Sequence, residues 1–260
     1  MSFEGFSLAD LSLLAVLGTY FGLAVFDRFW PARRFEGVRY WRLKGGGFFL
    51  LYLLISSVLP FVWGGYLAEH RVLDLTGLGL GWQVALAVLA VEVGVYFWHR
   101  ALHRVPALWR WFHQMHHSSE RIDIWSAMYF HPFDMVGFTF VGSLGLVWFA
   151  GVTPEAALIA NTVVFFLSTI QHANIKTPHW VGYIVARPEM HGRHHERGVH
   201  VNNYSDLPFL DMLFGTYDNP KTWHAPAGFY AGGSSRVLDM LAGRDINRDS
   251  PRALEQSPAE

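Results

Sequence analysis

Five apolar runs, separated by short polar segments, occupy most of the first two-thirds of the chain. A helix that crosses ~30 Å of hydrocarbon needs about 20 residues, and tryptophans stand near several run ends. The pattern predicts an all-α integral membrane protein with about four to five transmembrane helices. Several runs are shorter than a full span, which would suit buried helices of a soluble core. Five such runs in one chain, with aromatic residues near their ends, make the soluble core the weaker interpretation. The runs cover residues 11–26, 48–68, 81–98, 135–150 and 155–171.

The same pattern divides the chain into three parts. Residues 1–80 are predicted to form N-terminal membrane spans, and residues 81–231 hold most of the candidate chemistry. Residues 232–260 are polar, and we expect a short helix at most and then a flexible tail. The N-terminus lacks the basic start of a secretory signal peptide, so the first run is interpreted as a retained span.

Alternating crossings give a testable topology. If each run crosses once, the segment from His99 to His131 precedes the fourth span, and the fifth span returns to the same side at His172. All lysines and arginines except Arg71 also fall on that side. By the positive-inside rule, the histidine-bearing face is predicted to be cytoplasmic, with a helical cap over the membrane.

Composition supports a membrane protein and narrows the chemistry. Hydrophobic residues make up 52% of the chain and charged residues only 16%, against about 25% charged in soluble domains. The formal net charge of -1 gives no indication of nucleic-acid binding. The chain has no cysteine, which excludes disulfides, thiolate metal sites and cysteine nucleophiles.

Three clusters of histidines have helical spacing. One pair is spaced i, i+4, and two triplets are spaced i, i+3, i+4. Because such positions share a helix face, we expect each cluster to direct its imidazoles to one point. Neutral imidazole is a common metal ligand, and eight of them exceed the four that one zinc ion takes. The spacing therefore predicts two metal ions near His99, His103, His113, His116, His117, His191, His194 and His195.

Further polar residues stand close to these clusters in the predicted helices. His172 ends the fifth run and shares one stripe with Ser168 and Asn161. Glu92 lies two turns before His99 in an apolar run, where an acid is costly. We expect Glu92 and Asn161 to support the metal site, or alternatively to pair with each other. The other histidines are interpreted as surface or packed residues: His70, His179, His200 and His224.

Imidazole ligands alone leave the metal open, since they suit zinc, copper, iron and nickel. The residues thus predict a dimetal site at a membrane face and no more. Three functions remain compatible with it: an oxidase, a zinc-dependent hydrolase acting on lipids, and a histidine-rich metal transporter or haem protein.

The motifs "HRALH", "HQMHH" and "HGRHH" resemble those of the fatty acid hydroxylase/sterol desaturase superfamily. The segments "FHPFD", "QHANI" and "NNYSDLPFLDMLFGTY" match as well, so that the resemblance covers roughly residues 90–220. It implies a membrane-bound, non-haem di-iron oxidoreductase that hydroxylates or desaturates a lipid or sterol, and makes residues 81–231 its catalytic domain.

The resemblance also assigns residues. Asp134 stands where the family pattern leads us to expect glutamate, and Lys176 lies near a position where some members carry a further histidine. His131 is implied to support the ligands or to be an extra one. The implied metal ligands are His99, His103, His113, His116, His117, His172, His191, His194 and His195.

The cofactors and partners follow from the same resemblance. They are two iron ions, with zinc possible in the isolated protein, O2 as co-substrate, and a lipid or sterol from the bilayer. The chain shows no convincing nucleotide-binding motif and no fused haem domain, so electrons are expected from a separate reductase or carrier. The sequence leaves the oligomeric state open.

Overall fold

The computed structural model describes residues 5–249, and the regular elements of this part are helical. An isolated antiparallel bridge joins Glu196 and Ala227. The helices are α1 (Leu8–Phe29), α2 (Trp41–Val58), α3 (Pro60–Glu69), α4 (Leu80–Arg104), α5 (Pro106–Leu108), α6 (Gln114–His117), α7 (Pro132–Ser143), α8 (Pro154–Ile170), α9 (Pro188–His194), α10 (Phe209–Phe214) and α11 (Val237–Leu241).

Short helical turns complete the architecture. A π-helical turn, Trp109–His113, joins α5 to α6, and another, Leu144–Phe149, continues α7. The 3₁₀ turns are Ile124–Ser126, His179–Tyr183, Gly233–Ser235 and Ile246–Asp249.

Four segments are long and apolar enough to cross a membrane, which confirms the prediction of an all-α membrane protein. They are Leu8–Phe29, Trp41–Glu69, Leu80–Arg104 and Pro132–Phe149. The fifth apolar run forms α8, which has 17 residues and is shorter than these spans.

Local sequence explains where these helices begin. Ser7 and Asp10 form a capping box at the start of α1. Thr153 caps α8, and Pro154 takes its first position, where no backbone N–H is needed. Pro60 divides the second apolar segment into α2 and α3, because proline cannot donate the backbone bond of a continuous helix.

The outer helices present apolar side chains to their surroundings. Leu50 on α2 is 63% exposed, and Phe61 on α3 is 88% exposed. Large apolar surfaces of this kind are unfavourable in water, but they match a hydrocarbon environment. The exposed faces of α1, α2 and α3 therefore support membrane insertion.

Helix α4 is the centre of the bundle and packs on α7 and α8. Gly145 lies so close to α4 that a Cβ there would stand 2.9 Å from the Cα of Val91. Gly94 meets Val141 in the same way. Small residues at such crossings let membrane helices approach closely.

The last described segment packs against the histidine-bearing helices. Met240 and Ile246 are fully buried and share a core with Met115 and Trp41. The expected short helix is α11 (Val237–Leu241), and the buried side chains of Met240 and Ile246 hold this segment against that core. Residues 250–260 of the predicted tail lie outside the described residues.

Candidate metal centre

Nine histidines come together near the C-terminal ends of α4 and α8, in two adjacent groups. Within each group, one ligand-type atom from every residue lies within 4.8 Å of those from the others. The five-histidine group contains His99, His103, His113, His117 and His194. The four-histidine group contains His116, His172, His191 and His195.

The structure divides each histidine triplet between the two groups, whereas the sequence led us to expect one point per cluster. His113 and His117 enter the five-histidine group, and His116 enters the other. In α9, His194 separates from its neighbour His195 in the same way. Consecutive helical residues point about 100° apart, so adjacent histidines face different centres. The rings of His117 and His195 stack at 4.1 Å where the groups meet.

Outer hydrogen bonds orient the five-histidine group. The Nδ1–H of His99 donates to the Tyr204 carbonyl at 2.9 Å, and that of His194 donates to the Asn202 carbonyl at 2.6 Å. His113 donates to the Asp134 carboxylate at 2.6 Å. The two backbone carbonyls carry no proton to donate, so the Nε2 atoms of His99 and His194 must present a lone pair.

The inward nitrogens of this group have no partner. All five Nε2 atoms are buried without a hydrogen bond within residues 5–249. Buried polar atoms without partners are rare, because desolvation is not compensated. Five such nitrogens directed at one volume fit a bound cation.

The four-histidine group shows the same convergence at shorter range. The Nε2 of His172 lies 2.8 Å from that of His191 and 3.2 Å from that of His116, and His195 Nε2 lies 3.0 Å from His191 Nε2. Only the outer nitrogen of His172 has a partner in the described part of the chain, the Ser168 carbonyl at 2.8 Å. A neutral imidazole has only one N–H, so close Nε2–Nε2 contacts bring lone pairs towards each other. A bound cation among these nitrogens would stabilise this arrangement.

Burial keeps these imidazoles neutral. It lowers the pKa of His172 to about 4. The pKa values of six further histidines in the two groups lie well below 6.5, namely those of His113, His116, His117, His191, His194 and His195. Burial is the main cause, and neighbouring imidazoles are the second. Because the neutral ring is the form that binds metal, the residues present fit a pair of metal ions.

Glu92 supports the five-histidine group through a loop. Its Oε2 accepts hydrogen bonds from the Ser205 hydroxyl at 2.9 Å, the Asp206 amide at 3.0 Å and the Leu207 amide at 3.3 Å. This fixes the loop whose Tyr204 carbonyl binds His99. Glu92 therefore supports the site indirectly, through the hydrogen bonds that hold this loop.

The other predicted supporting residues lie elsewhere. The His131 ring accepts from the Phe133 amide at 3.1 Å and caps α7, outside both groups. Asn161 lines the cavity described below, and the described residues show no bond between Asn161 and Glu92.

Two contributors were missed from the sequence. The Nδ1 of His200 lies 3.1 Å from that of His117, although His200 was interpreted as isolated. It follows α9 in a loop, with a positive φ of 46°, so helical spacing could not reveal it. Asp134 stands three residues after His131 in "FHPFD", but only the fold brings it to His113.

A cavity of about 820 Å³ leads from the histidines into the helix bundle. Its lining includes His116, His172 and His191 from one group and His99 and His113 from the other. Mostly apolar residues from α2, α3, α4, α7 and α8 line the remainder, together with several hydroxyl and amide groups and the charged residues Arg71 and Asp206. The cavity thus joins both groups to an apolar space at membrane depth.

Fold and site together define a helical membrane protein in which two adjacent histidine groups are arranged to hold metal ions. The Fatty acid hydroxylase family model matches residues 84–216, and the chain belongs to this family. The matched region includes all nine histidines, and the family resemblance predicted from the motifs is confirmed.

Curated relatives of this chain are lipid and sterol oxidoreductases. The chain is 25% identical to ornithine lipid hydroxylase OlsE of Rhizobium tropici over 83% of its own length and 67% of the relative. It is 27% identical to sphingolipid C4-hydroxylase sur2 of Schizosaccharomyces pombe, over 54% of this chain and 49% of the relative. It is 24% identical to delta(7)-sterol 5(6)-desaturase erg3C of Aspergillus fumigatus, over 64% of this chain and 61% of the relative. A comparison with solved structures found no match.

Proposed function

We propose that this chain is a membrane-bound, non-haem di-iron enzyme that uses O2 and external electrons to hydroxylate or desaturate a lipid C–H bond. The observation that carries the proposal is the pair of imidazole-only groups at the head of an apolar cavity. The names of the relatives support the substrate class, since they include an ornithine lipid hydroxylase, a sphingolipid hydroxylase and a sterol desaturase.

The nine grouped histidines are the proposed ligands, five for one iron and four for the other. Imidazole suits iron as well as zinc, and neutral ligands leave the metal pair strongly positive. When bound, an iron pair supplies the redox chemistry by which O2 attacks an unactivated C–H bond.

The chain's own residues provide orientation and an apolar reaction space. Carbonyls of Tyr204 and Asn202 and the carboxylate of Asp134 fix ring direction, which keeps the site preorganised. Cavity-lining residues follow α8 from Pro154 to Ser168, a rise of about 21 Å. Such a length fits an extended lipid chain whose reacting carbon lies beside the histidines while water is excluded.

The position in the cell is also part of the proposal. All basic residues except Arg71 fall on the histidine side of the predicted topology, so we place the site at the cytoplasmic face. A separate reductase or carrier is the proposed electron donor, and this basic face is its proposed docking surface.

Metal analysis of the full-length protein tests the reaction class. The protein is purified anaerobically in detergent, iron and zinc are quantified, and reductant, ¹⁸O2 and a lipid extract are then added. We expect about two iron ions per chain, and either ¹⁸O in a lipid product or a new double bond. Zinc alone with O2-independent turnover would contradict the proposal and indicate a hydrolase.

A pair of single variants tests the site. His116→Ala should abolish turnover while the protein still inserts into membranes, because the four-histidine group loses an inward nitrogen. The exposed His224, which belongs to neither group, gives the matched control, and His224→Ala should keep full activity. Full activity of His116→Ala would refute its role as a ligand.

A further inference from the structure

A second cleft, of about 700 Å³, lies between the end of α1, the loop that follows it and the start of α2. No lining residue is shared with the reaction cavity. Side chains of α1 form one apolar wall, including Phe21, Val25 and Phe29. Five arginines also line the cleft: Arg28, Arg33, Arg34, Arg42 and Arg121.

Three of these arginines have unbalanced charges. Arg28, Arg34 and Arg42 are exposed, and none of them has a carboxylate partner within the described residues. By contrast, Arg121 pairs with Asp123 at 2.9 Å. Arg33 donates to a backbone carbonyl and lies over the ring of a tryptophan at 4.3 Å. The cleft therefore keeps three guanidinium groups that have no carboxylate partner in the described part of the chain.

The two acids that line the cleft do not neutralise these groups. Asp27 accepts the backbone amides of Ile124 and Asn174, both at 2.8 Å, one with each carboxylate oxygen. Asp123 accepts the Trp41 indole N–H at 2.8 Å as well as Arg121. Both acids hold the loops in place, and the cleft remains positive.

The beginning of α2 adds a second attraction for anions. This 18-residue helix starts after Tyr40 without a side-chain cap, and its first turn contains no acid. It carries Arg42 and Lys44 instead, although the positive end of a helix disfavours cations. Arg42 and Arg121 also line a smaller adjoining cleft of about 310 Å³ at this helix end. An anion here would relieve the unfavourable arrangement.

The apolar wall places the cleft at a membrane boundary. Phe21 is 49% exposed and Val25 is 55% exposed, on the surface that α1 presents to hydrocarbon. Phe29 and Trp30 follow at the helix end, where aromatic residues mark the headgroup level. The cleft thus runs from an apolar surface to these three guanidinium groups.

We propose that this cleft binds an anionic phospholipid of the bilayer, as a resident lipid and not as the substrate. Its phosphate would lie among Arg28, Arg34 and Arg42, with an acyl chain against Phe21 and Val25. Arginine binds phosphate through paired N–H donors, and basic pockets at helix ends suit anionic headgroups.

Native mass spectrometry of the full-length protein in neutral detergent tests this site. The probes are dioctanoyl phosphatidylglycerol, dioctanoyl phosphatidylcholine and inorganic phosphate. We expect saturable binding of phosphatidylglycerol at one site, with far weaker binding of phosphatidylcholine and of inorganic phosphate. The triple variant Arg28→Gln/Arg34→Gln/Arg42→Gln should weaken it by about 100-fold, since each basic contact contributes about fivefold.

Two variants make the result specific. Lys221→Gln/Arg244→Gln/Arg248→Gln removes the same charge from exposed positions outside the cleft and should leave binding within about twofold. A triple Arg-to-Lys variant should keep most of the affinity, because charge remains while paired donors are lost. Unchanged metal content in every variant shows that the fold is intact.

Several outcomes would overturn the proposal. Equal binding of both lipids would make the cleft a general detergent and lipid surface, and equal binding of phosphate would make it a free-anion site. Equal weakening by the control triple would show a net-charge effect only. Absence of lipid binding would leave an acidic protein partner as the occupant. None of these results bears on the oxidoreductase activity.

Discussion

The five-histidine and four-histidine groups lie side by side, but they are supported differently. Three rings of the first are fixed by outer acceptors, the Tyr204 and Asn202 carbonyls and the Asp134 carboxylate. In the second, within the described chain, only His172 has such a bond. Three of four rings in the second group line the cavity, against two of five in the first.

This difference indicates a division of roles between the proposed metal positions. Outer hydrogen bonds lower the freedom of a ligand ring and raise its basicity, so the five-histidine group is the more rigid. The four-histidine group has fewer fixed rings and greater contact with the apolar space. We infer that it adapts more readily to the proposed substrate and co-substrate.

The largest effect is expected in the four-histidine group, which has no histidine beyond four ligands. His191→Ala should remove one of two metal ions per chain and abolish turnover, because three imidazoles remain. Metal content and lipid turnover measure both. Two retained metal ions would show that the groups do not differ in ligand reserve.

The next largest effect is expected from loss of the hydrogen bond between His113 and Asp134, which should affect only the five-histidine group. Asp134→Asn replaces the carboxyl partner of His113 by an amide and should weaken metal binding in the five-histidine group by about 10–100-fold. A chelator titration measures this effect. We expect metal loss in two steps, of which only one shifts to a lower chelator concentration. Equal weakening of both steps would contradict the proposed division.

Filling the cavity should affect the substrate and leave both metal positions intact. A Cβ at Gly142 meets no atom within 4 Å, and Gly142 lines the cavity, so Gly142→Leu places additional side-chain volume there from an unobstructed Cβ. We expect kcat/KM to fall by roughly tenfold with two metal ions retained. Gly47, also unobstructed but outside the cavity, gives the control Gly47→Leu, which should behave as the native protein.

The smallest effect is expected from His103. This ring is the only partly exposed member of the five-histidine group, and four imidazoles remain without it. His103→Ala should therefore retain two metal ions and lose only a few-fold in chelator resistance. Loss as complete as that in His191→Ala would remove the distinction between the groups.

The sequence determined the membrane helices and the presence of a metal-binding chemistry. Apolar period and length were sufficient for α1, α4 and the α7 segment, because crossing hydrocarbon imposes the same requirement on any helix. Pro60 and Pro154 begin helices through local backbone chemistry, although the apolar pattern alone gave residues 48–68 as one run. The alternating crossings alone also place His172 on the same side as the clusters.

Only tertiary structure decided how the rings divide. Spacing placed His116 and His117 together, but their directions differ by one residue of helix rotation, and the partner helices determine which centre each ring meets. The contacts of His113 with Asp134 and of His117 with His200 join residues 21 and 83 positions apart. Local patterns predict what a segment forms, whereas long-range packing determines which segments meet.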